Sequence, residues 1–312
     1  MTTRQEKRAF GDLRHRDRKL RLQKLLAAKS KPQANTEHGS AEECATAALV
    51  IGAGRGVCSV LCEGAVRLIR CELPVAPGDE VSVRHEKVAG ISPRRTTLTR
   101  TEPANPRAER VIAANLDLLV IVASVENPPF RPGLVDRYLI AAFRGGIKPV
   151  LCLNKTDLRA DTSAADVFRV PTVRCSTVTG EGVDDLRDLL AGSLAVLAGH
   201  SGVGKSSLLN ALACEQHARA GMVSDETGKG RHTTSASRLY WMRNGARIID
   251  TPGVREFGLG RVTLAELRAA FPEFDARSCR FKDCTHRDEP DCAVRQQGGA
   301  RYPSYLRLAM EL

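Results

Sequence analysis

Eight consecutive residues, Gly199, His200, Ser201, Gly202, Val203, Gly204, Lys205 and Ser206, fill the spacing G-x-x-x-x-G-K-[ST], and the types at its fixed positions are those that hold a polyphosphate. Glycines let consecutive backbone N–H groups turn inward onto phosphate oxygens, and a following helix aims its positive end at them. Lys205 would reach the β- and γ-phosphates as the catalytic cation, the Ser206 hydroxyl would bind Mg²⁺, and Ser207 completes the nucleotide-contacting run.

A second group, Asn154, Lys155, Thr156 and Asp157, suits a base rather than a phosphate. An aspartate in N-K-x-D can accept from both guanine N1–H and the exocyclic amine, which adenine cannot offer, while the lysine stem covers the base. Ser176 and Thr177, ahead of Gly180-Glu-Gly182, stand where a backbone N–H could meet guanine O6. Downstream of the phosphate loop lie His232 and Thr234, in the run 230–234, and Asp250 and Gly253, in Asp-Thr-Pro-Gly. In a nucleotide switch, Thr234 would reach the Mg²⁺, Asp250 would hold it through water, and the Gly253 N–H would sense the γ-phosphate. Val254 occupies the place where many GTPases carry a water-orienting glutamine. His232 is therefore the expected catalytic imidazole, with an exposed loop histidine or an RNA contact as the alternative.

The last constellation is Cys279-x4-Cys284-x-His286-x5-Cys292. Three thiolates and one imidazole leave no ligand position open, which describes one structural zinc rather than a catalytic metal. The alternative is a set of unrelated buried cysteines.

These residues need a scaffold, and the hydrophobic patterning supplies one. Residues 116–123, 149–153 and 194–198 read as continuous buried strands, residues 134–143 as a helix with Leu134, Val135, Tyr138, Leu139 and Ala142 on one side, and residues 207–212 as another. This is an α/β doubly wound pattern. Residues 45–100 differ, with short β-rich runs at 48–51, 57–61, 65–71 and 80–84 separated by glycines and Ala76-Pro-Gly-Asp79, the pattern of a small OB-like β-barrel. No Phe, Tyr or Trp lies between Ser40 and Arg100. Base stacking is thus closed to the barrel, and its Arg and Lys residues suit phosphate backbone or a solvated surface. His85-Glu86 has no second histidine four residues on, so it makes no metal motif.

Order along the chain is informative. Base-recognition groups at 154–157 and 176 precede the phosphate loop, the reverse of an ordinary GTPase, and a circular permutation reconciles order with a single site. The expected organisation is a basic disordered arm over 1–40, a barrel over 41–100, a permuted P-loop GTPase domain over 101–262 and a zinc module over 263–312. Of the net charge of +11, most lies in residues 1–32, where eleven Lys and Arg face only Glu6, Asp12 and Asp17. Such an arm suits a polyanion, a solubilising role or an organellar transit peptide. No uncharged apolar run approaches ~18 residues, so no membrane span is expected. Ten cysteines in a chain of this length are read as thiols of a reducing compartment plus one metal site.

The combination of basic tail, OB-like barrel, permuted GTPase motifs and C-x4-C-x-H-x5-C module resembles the RsgA (YjeQ) family of bacterial GTPases that depend on the small ribosomal subunit. The resemblance covers about residues 45–312. It implies a cytoplasmic, monomeric GTPase that binds GTP and GDP, docks on the small subunit and its rRNA late in assembly, is stimulated by it and leaves after hydrolysis. Thr177 departs from the alanine common in the family, and the long arm lies outside it. The competing class is a guanine-nucleotide-binding RNA or ribosome scaffold with little turnover.

Overall fold

Which face each strand buries is settled by alternation. In the strand β8 (Leu118–Ser124) every residue is buried, yet Leu118, Val120 and Val122 enter one apolar core and Leu119, Ile121 and Ala123 enter another. A strand covered on both faces needs helices above and below it. The computed structural model describes residues 45–54, 56–102, 105–213, 238–250, 259–274 and 279–312. The expectations placed on the arm 1–40 and on His232, Thr234 and Gly253 lie outside the described residues.

Five strands, β1 (Thr46–Ala53), β2 (Val57–Cys62), β3 (Ala65–Arg70), β4 (Glu80–Arg84) and β5 (Lys87–Ile91), close into a barrel in the order β1-β2-β3-β5-β4. Closure comes through a parallel contact of β3 with β5 at Arg70 and Lys87, which leaves no open edge. Cys58, Cys62 and Cys71 fill its interior with Val50, Val60 and Ile69, acting as small hydrophobes. His85 and Glu86 form the two-residue turn between β4 and β5, both at positive φ (48° and 56°), so their polarity serves a hairpin.

The strands β6 (Thr97–Glu102) and β7 (Asn105–Ala114) pair with each other alone and form a splint that the sequence pattern did not reveal. At one end, Ala114 N–H donates to Pro77 O (2.8 Å) and Asn115 Nδ2 to Gly78 O (2.9 Å). A Cβ on Gly78, at φ +94°, would lie 2.0 Å from Ala114 O. At the same end, where Thr97 lies opposite Ala114, Thr97 N–H donates to Gly145 O (3.1 Å). Asp79, fully buried, accepts from the Ala76 N–H and from Arg94 Nε and Nη2, each at 2.8 Å.

The larger sheet contains β8, β9 (Lys148–Asn154), β10 (Thr172–Arg174), β11 (Leu194–Ala198), β12 (Arg238–Trp241) and β13 (Arg247–Asp250) in the order β10-β9-β8-β11-β13-β12. All pairings are parallel except β12 with β13. The helix α1 (Pro132–Arg144) covers one face. The helices α2 (Val183–Leu190) and α3 (Lys205–Ala213) cover the other through Leu186, Leu190, Leu208 and Leu212. Pro132 starts α1 where a missing N–H costs nothing. Gly145 and Gly146 end it, the latter at φ +68°, as C-terminal glycines do.

Beyond the sheet come α4 (Leu264–Ala270), α5 (Ala293–Gln297) and α6 (Tyr302–Ala309). Leu267, Val294, Tyr305 and Leu308 of these helices, with Phe271 and Phe274 just after α4, join the same apolar core as β8 and α1. The C-terminal segment is thus packed onto the sheet domain through a continuous interior. Among the described residues, no helix is long and apolar enough to cross a membrane.

Candidate nucleotide site and metal centre

The phosphate loop joins β11 to α3, at the C-terminal ends of parallel strands where open α/β sheets bind ligands. Two of its glycines are compulsory. A Cβ on Gly199 would stand 2.1 Å from Val122 O, and one on Gly204 (φ +93°) 2.3 Å from Asn154 Nδ2. Lys205 Nζ lies 2.7 Å from both Gly199 O and His200 O, which holds its ammonium over the mouth of the loop. His200, Ser201, Gly202, Ser206 and Ser207 sit at or near the surface, while Val203 is buried as the loop's anchor. A cleft beside the loop is lined by Lys205, Ser206 and Asp250. A hydroxyl and a carboxylate there are hard oxygen donors of the kind Mg²⁺ takes.

The segment expected to recognise the base meets this loop directly. Asn154, fully buried at the end of β9, donates through Nδ2 to Val203 O (2.9 Å). Lys155 adopts a left-handed conformation (φ 62°) and donates to Asn127 O. Ser176 Oγ donates to Asp157 Oδ1 and accepts from the Val178 and Thr179 N–H groups (3.2 and 3.1 Å). Thr156 N–H reaches Cys175 O (3.2 Å). Residues 154–157 and 176, far from Gly199 in sequence, are therefore brought together beside the phosphate loop. Behind them the thiols of Cys152 and Cys175 lie 3.8 Å apart, both buried.

The second site is a closed cage. The ligand atoms of Cys279, Cys284, His286 and Cys292 all lie within 4.8 Å of one another. Cys279 Sγ is 3.6 Å from His286 Nδ1 and 3.9 Å from Cys292 Sγ, which is 3.5 Å from the same nitrogen. A tetrahedron with metal–sulfur bonds of about 2.3 Å and metal–nitrogen bonds of about 2.0 Å has edges of roughly 3.5–3.8 Å. His286 Nε2 is 2.9 Å from Phe274 O, so it donates there and leaves Nδ1 as the ligand, as metal-bound imidazoles are held. Burial raises the Cys279 pKa, but the backbone N–H groups of Val294 and Ala293 outweigh it and hold it below the usual thiol value. Glu289 staples the turn, accepting from Thr285 N–H and Oγ1 (each 2.6 Å) and Arg287 N–H (2.9 Å).

The RsgA GTPase family profile matches residues 91–260. The small ribosomal subunit biogenesis GTPase RsgA of Gemmatimonas aurantiaca is 38% identical over 261 residues, covering 77% of this chain and 85% of that protein. The chain belongs to the RsgA GTPase family. The protein of the same name from Pseudomonas fluorescens is 40% identical over 243 residues, 72% of this chain and 70% of its own. Among solved structures, YjeQ from Thermotoga maritima superposes with a TM-score of 0.66 at 26% identity, over 86% of this chain and 99% of that one. YloQ, a circularly permuted GTPase, gives 0.61 at 24% identity, over 88% and 97%. The fold is accordingly a circularly permuted GTPase with a closed barrel, and membership in the RsgA GTPase family makes the chain a GTP hydrolase.

Sequence reasoning missed a third cluster. Arg301, at the start of α6, is 2% exposed, and Asp136, in the middle of α1, is fully buried. Arg301 donates to Asp136 Oδ1 from Nε (2.9 Å) and Nη2 (2.7 Å), to Glu273 Oε1 from Nη1 (2.6 Å), and to Ala270 O from Nη2 (2.8 Å). Its guanidinium lies 4.2 Å from the Phe271 ring centre and 4.8 Å from that of Phe168. Burial raises the Asp136 carboxyl above its ordinary range, opposed by the charge of Arg301. Only the apolar residues flanking Asp136 hinted that it would be enclosed.

Proposed function

We propose that this GTPase acts on the small ribosomal subunit during its late assembly, docking through rRNA and leaving after hydrolysis, in the cytoplasm and as a monomer. The observation that supports the reading best is the bond from Asn154 Nδ2 to Val203 O. It couples a guanine-selective edge to a phosphate loop in a family whose relatives carry the name small ribosomal subunit biogenesis GTPase. The barrel contributes exposed Arg67, Arg70, Arg84 and Lys87 on β3, β4 and β5 without an aromatic platform, which suits backbone-directed RNA contact. The division into an arm over 1–40, barrel over 41–100, GTPase over 101–262 and zinc module over 263–312 belongs to the same proposal.

In this reading the N–H groups of residues 199–206 cradle the phosphates and Lys205 neutralises charge on the β- and γ-oxygens. Asp157 selects guanine, and the backbone at Ser176 and Thr177 faces O6. Ser206 and Thr234 would hold Mg²⁺, with Asp250 acting through water, and the ion would supply further charge neutralisation. The Gly253 N–H senses the γ-phosphate. His232 orients the attacking water and accepts its proton, since neutral imidazole is the available base near pH 7. Cys279, Cys284, His286 and Cys292 would hold one zinc, whose role with no ligand position left open would be structural.

GTP turnover measured with and without purified small subunits tests the proposal. Stimulation is expected, and His232→Ala should lower stimulated turnover by about 10²-fold while GTP binding and subunit association persist. Absence of stimulation would favour a nucleotide-binding scaffold, and full stimulated activity in His232→Ala would remove that residue from the chemistry.

A further inference from the structure

Residues two apart on a helix point about 200° away from each other. On α1, Asp136 and Tyr138 therefore face opposite sides, and both are buried polar groups. Asp136 is held by Arg301 of the C-terminal segment. Tyr138, 2% exposed, looks the other way and lines a small cavity with Leu134, Val135, His200 and Val203. Its phenol is pushed up to about 12 by burial, opposed by a hydrogen bond from the Gly199 backbone. Gly199 is the first residue of the phosphate loop, and its carbonyl also accepts from Lys205. One helix thus touches the loop that would grip the nucleotide with one side and the metal-binding module with the other.

The outer contact is built to resist sliding. Arg301 is bonded on three sides and lies against two rings, so α1 cannot shift relative to α6 without breaking several charge-assisted bonds in a dry interior. The fit extends along the helix. A Cβ on Gly133 would lie 3.4 Å from Ser304 Oγ and 3.5 Å from Arg307 Nη2, so the start of α1 is in close contact with α6. Its end is fixed by Arg144, which donates to Glu266 Oε1 and Oε2 (2.7 and 3.0 Å) and to Arg261 O (2.7 Å).

We propose that Arg301 and Tyr138 are positioning residues for the nucleotide site: Arg301 fixes α1 through Asp136, and α1 sets Tyr138 against the phosphate loop, beside His200 and Val203, so that the C-terminal module sets the geometry of that loop. The proposal rests on the nucleotide reading of residues 199–206. By thermodynamic linkage, nucleotide on the loop must then stabilise the docked module by the same free energy by which the docked module tightens nucleotide.

The test uses the full-length protein and the affinity of a fluorescent GDP analogue. Tyr138→Phe, which keeps the ring and removes the hydroxyl, should weaken GDP by roughly tenfold, the scale of one buried hydrogen bond. The pair exchange Arg301→Met with Asp136→Leu, made together with Glu273→Gln because Glu273 also accepts from Arg301, leaves no lone buried charge. It should weaken GDP comparably with zinc content unchanged, and the two changes combined should be clearly less than additive. Wild-type GDP affinity in either variant, or strict additivity, overturns the proposal. Should the pair exchange fail to fold, hydrogen exchange decides: GDP should slow exchange of amides 302–309 in the unaltered chain and not in Tyr138→Phe, and equal protection in both overturns it. Failure of the unaltered chain to bind GDP would overturn the nucleotide reading itself.

Discussion

Gly204→Ala tests the junction between the two halves of the nucleotide site. At φ +93° the new Cβ would stand 2.3 Å from Asn154 Nδ2, and that amide is buried and committed to Val203 O. The left-handed backbone costs an L-residue about 1–2 kcal/mol. Displacing the amide forfeits a buried hydrogen bond, a further ~1–3 kcal/mol. If the total of about 2–5 kcal/mol falls on the nucleotide-competent loop, GDP affinity drops between roughly thirtyfold and a few thousandfold. Titration with a fluorescent GDP analogue, beside thermal unfolding to separate binding from global stability, measures this. A second variant isolates the steric part. In an Asn154→Ala background the clashing amide is gone and the next neighbour, Lys155 Cε, is 4.0 Å away, so Gly204→Ala should add only the backbone term. The cycle should show coupling of about 1–3 kcal/mol. Equal effects of Gly204→Ala in both backgrounds would refute the contact, and GDP binding at full strength in the single variant would refute the loop's role.

Asp157→Asn should lower the preference for guanine over xanthine nucleotides by about 1–3 kcal/mol, read by competition binding, because an amide cannot accept from both guanine donors. Chelation of zinc, or Cys284→Ser, should weaken nucleotide binding as well as disorder residues 279–292, since the module shares its apolar core with β8 and α1; unchanged GDP affinity with zinc removed would show the two to be independent. Burial raises the Glu266 pKa, but its bonds to Arg144 and Thr263 outweigh this and hold it below the ordinary value. A depressed folded-state pKa contributes stability above the unfolded pKa and loses it as pH falls through the folded one. The stability gap between the native chain and Glu266→Gln, by denaturant titration, should therefore be full at pH 7 and close as pH falls through the carboxylate range.

Much of the fold was legible because it rests on continuous apolar runs. The strand read at 194–198 is β11 itself, those read at 116–123 and 149–153 shift by one or two residues at their ends, and the helix read at 134–143 extends over Pro132–Arg144. The hairpin of β6 and β7 was not legible: half of its residues are Thr, Arg or Glu, and it is tied in by bonds to Pro77 and Gly145 from its own backbone and to Gly78 from the Asn115 side chain that no local pattern encodes. In the candidate site, fixed spacings pointed to the loop at 199–206, to the segment at 154–157 that meets it, and to the Cys–His cluster at 279–292. Spacing could not show that Asn154 reaches Val203, nor that Asp136, a charge inside an apolar helix, finds Arg301 165 positions away. Such pairings depend on tertiary distance, and a charged residue in a helix reads by itself as a solvated one.

The shared interior of α1 and the C-terminal segment also bears on how the chain can be cut, spliced and inherited. A chain ended near residue 262 would lay bare the outer side of α1 and leave the Asp136 carboxylate in an apolar surface without its cation. The metal module is consequently no cassette. A graft from a relative would need an arginine at position 301 and rings matching Phe168 and Phe271, and substitutions at 136 and 301 should drift through evolution as a pair.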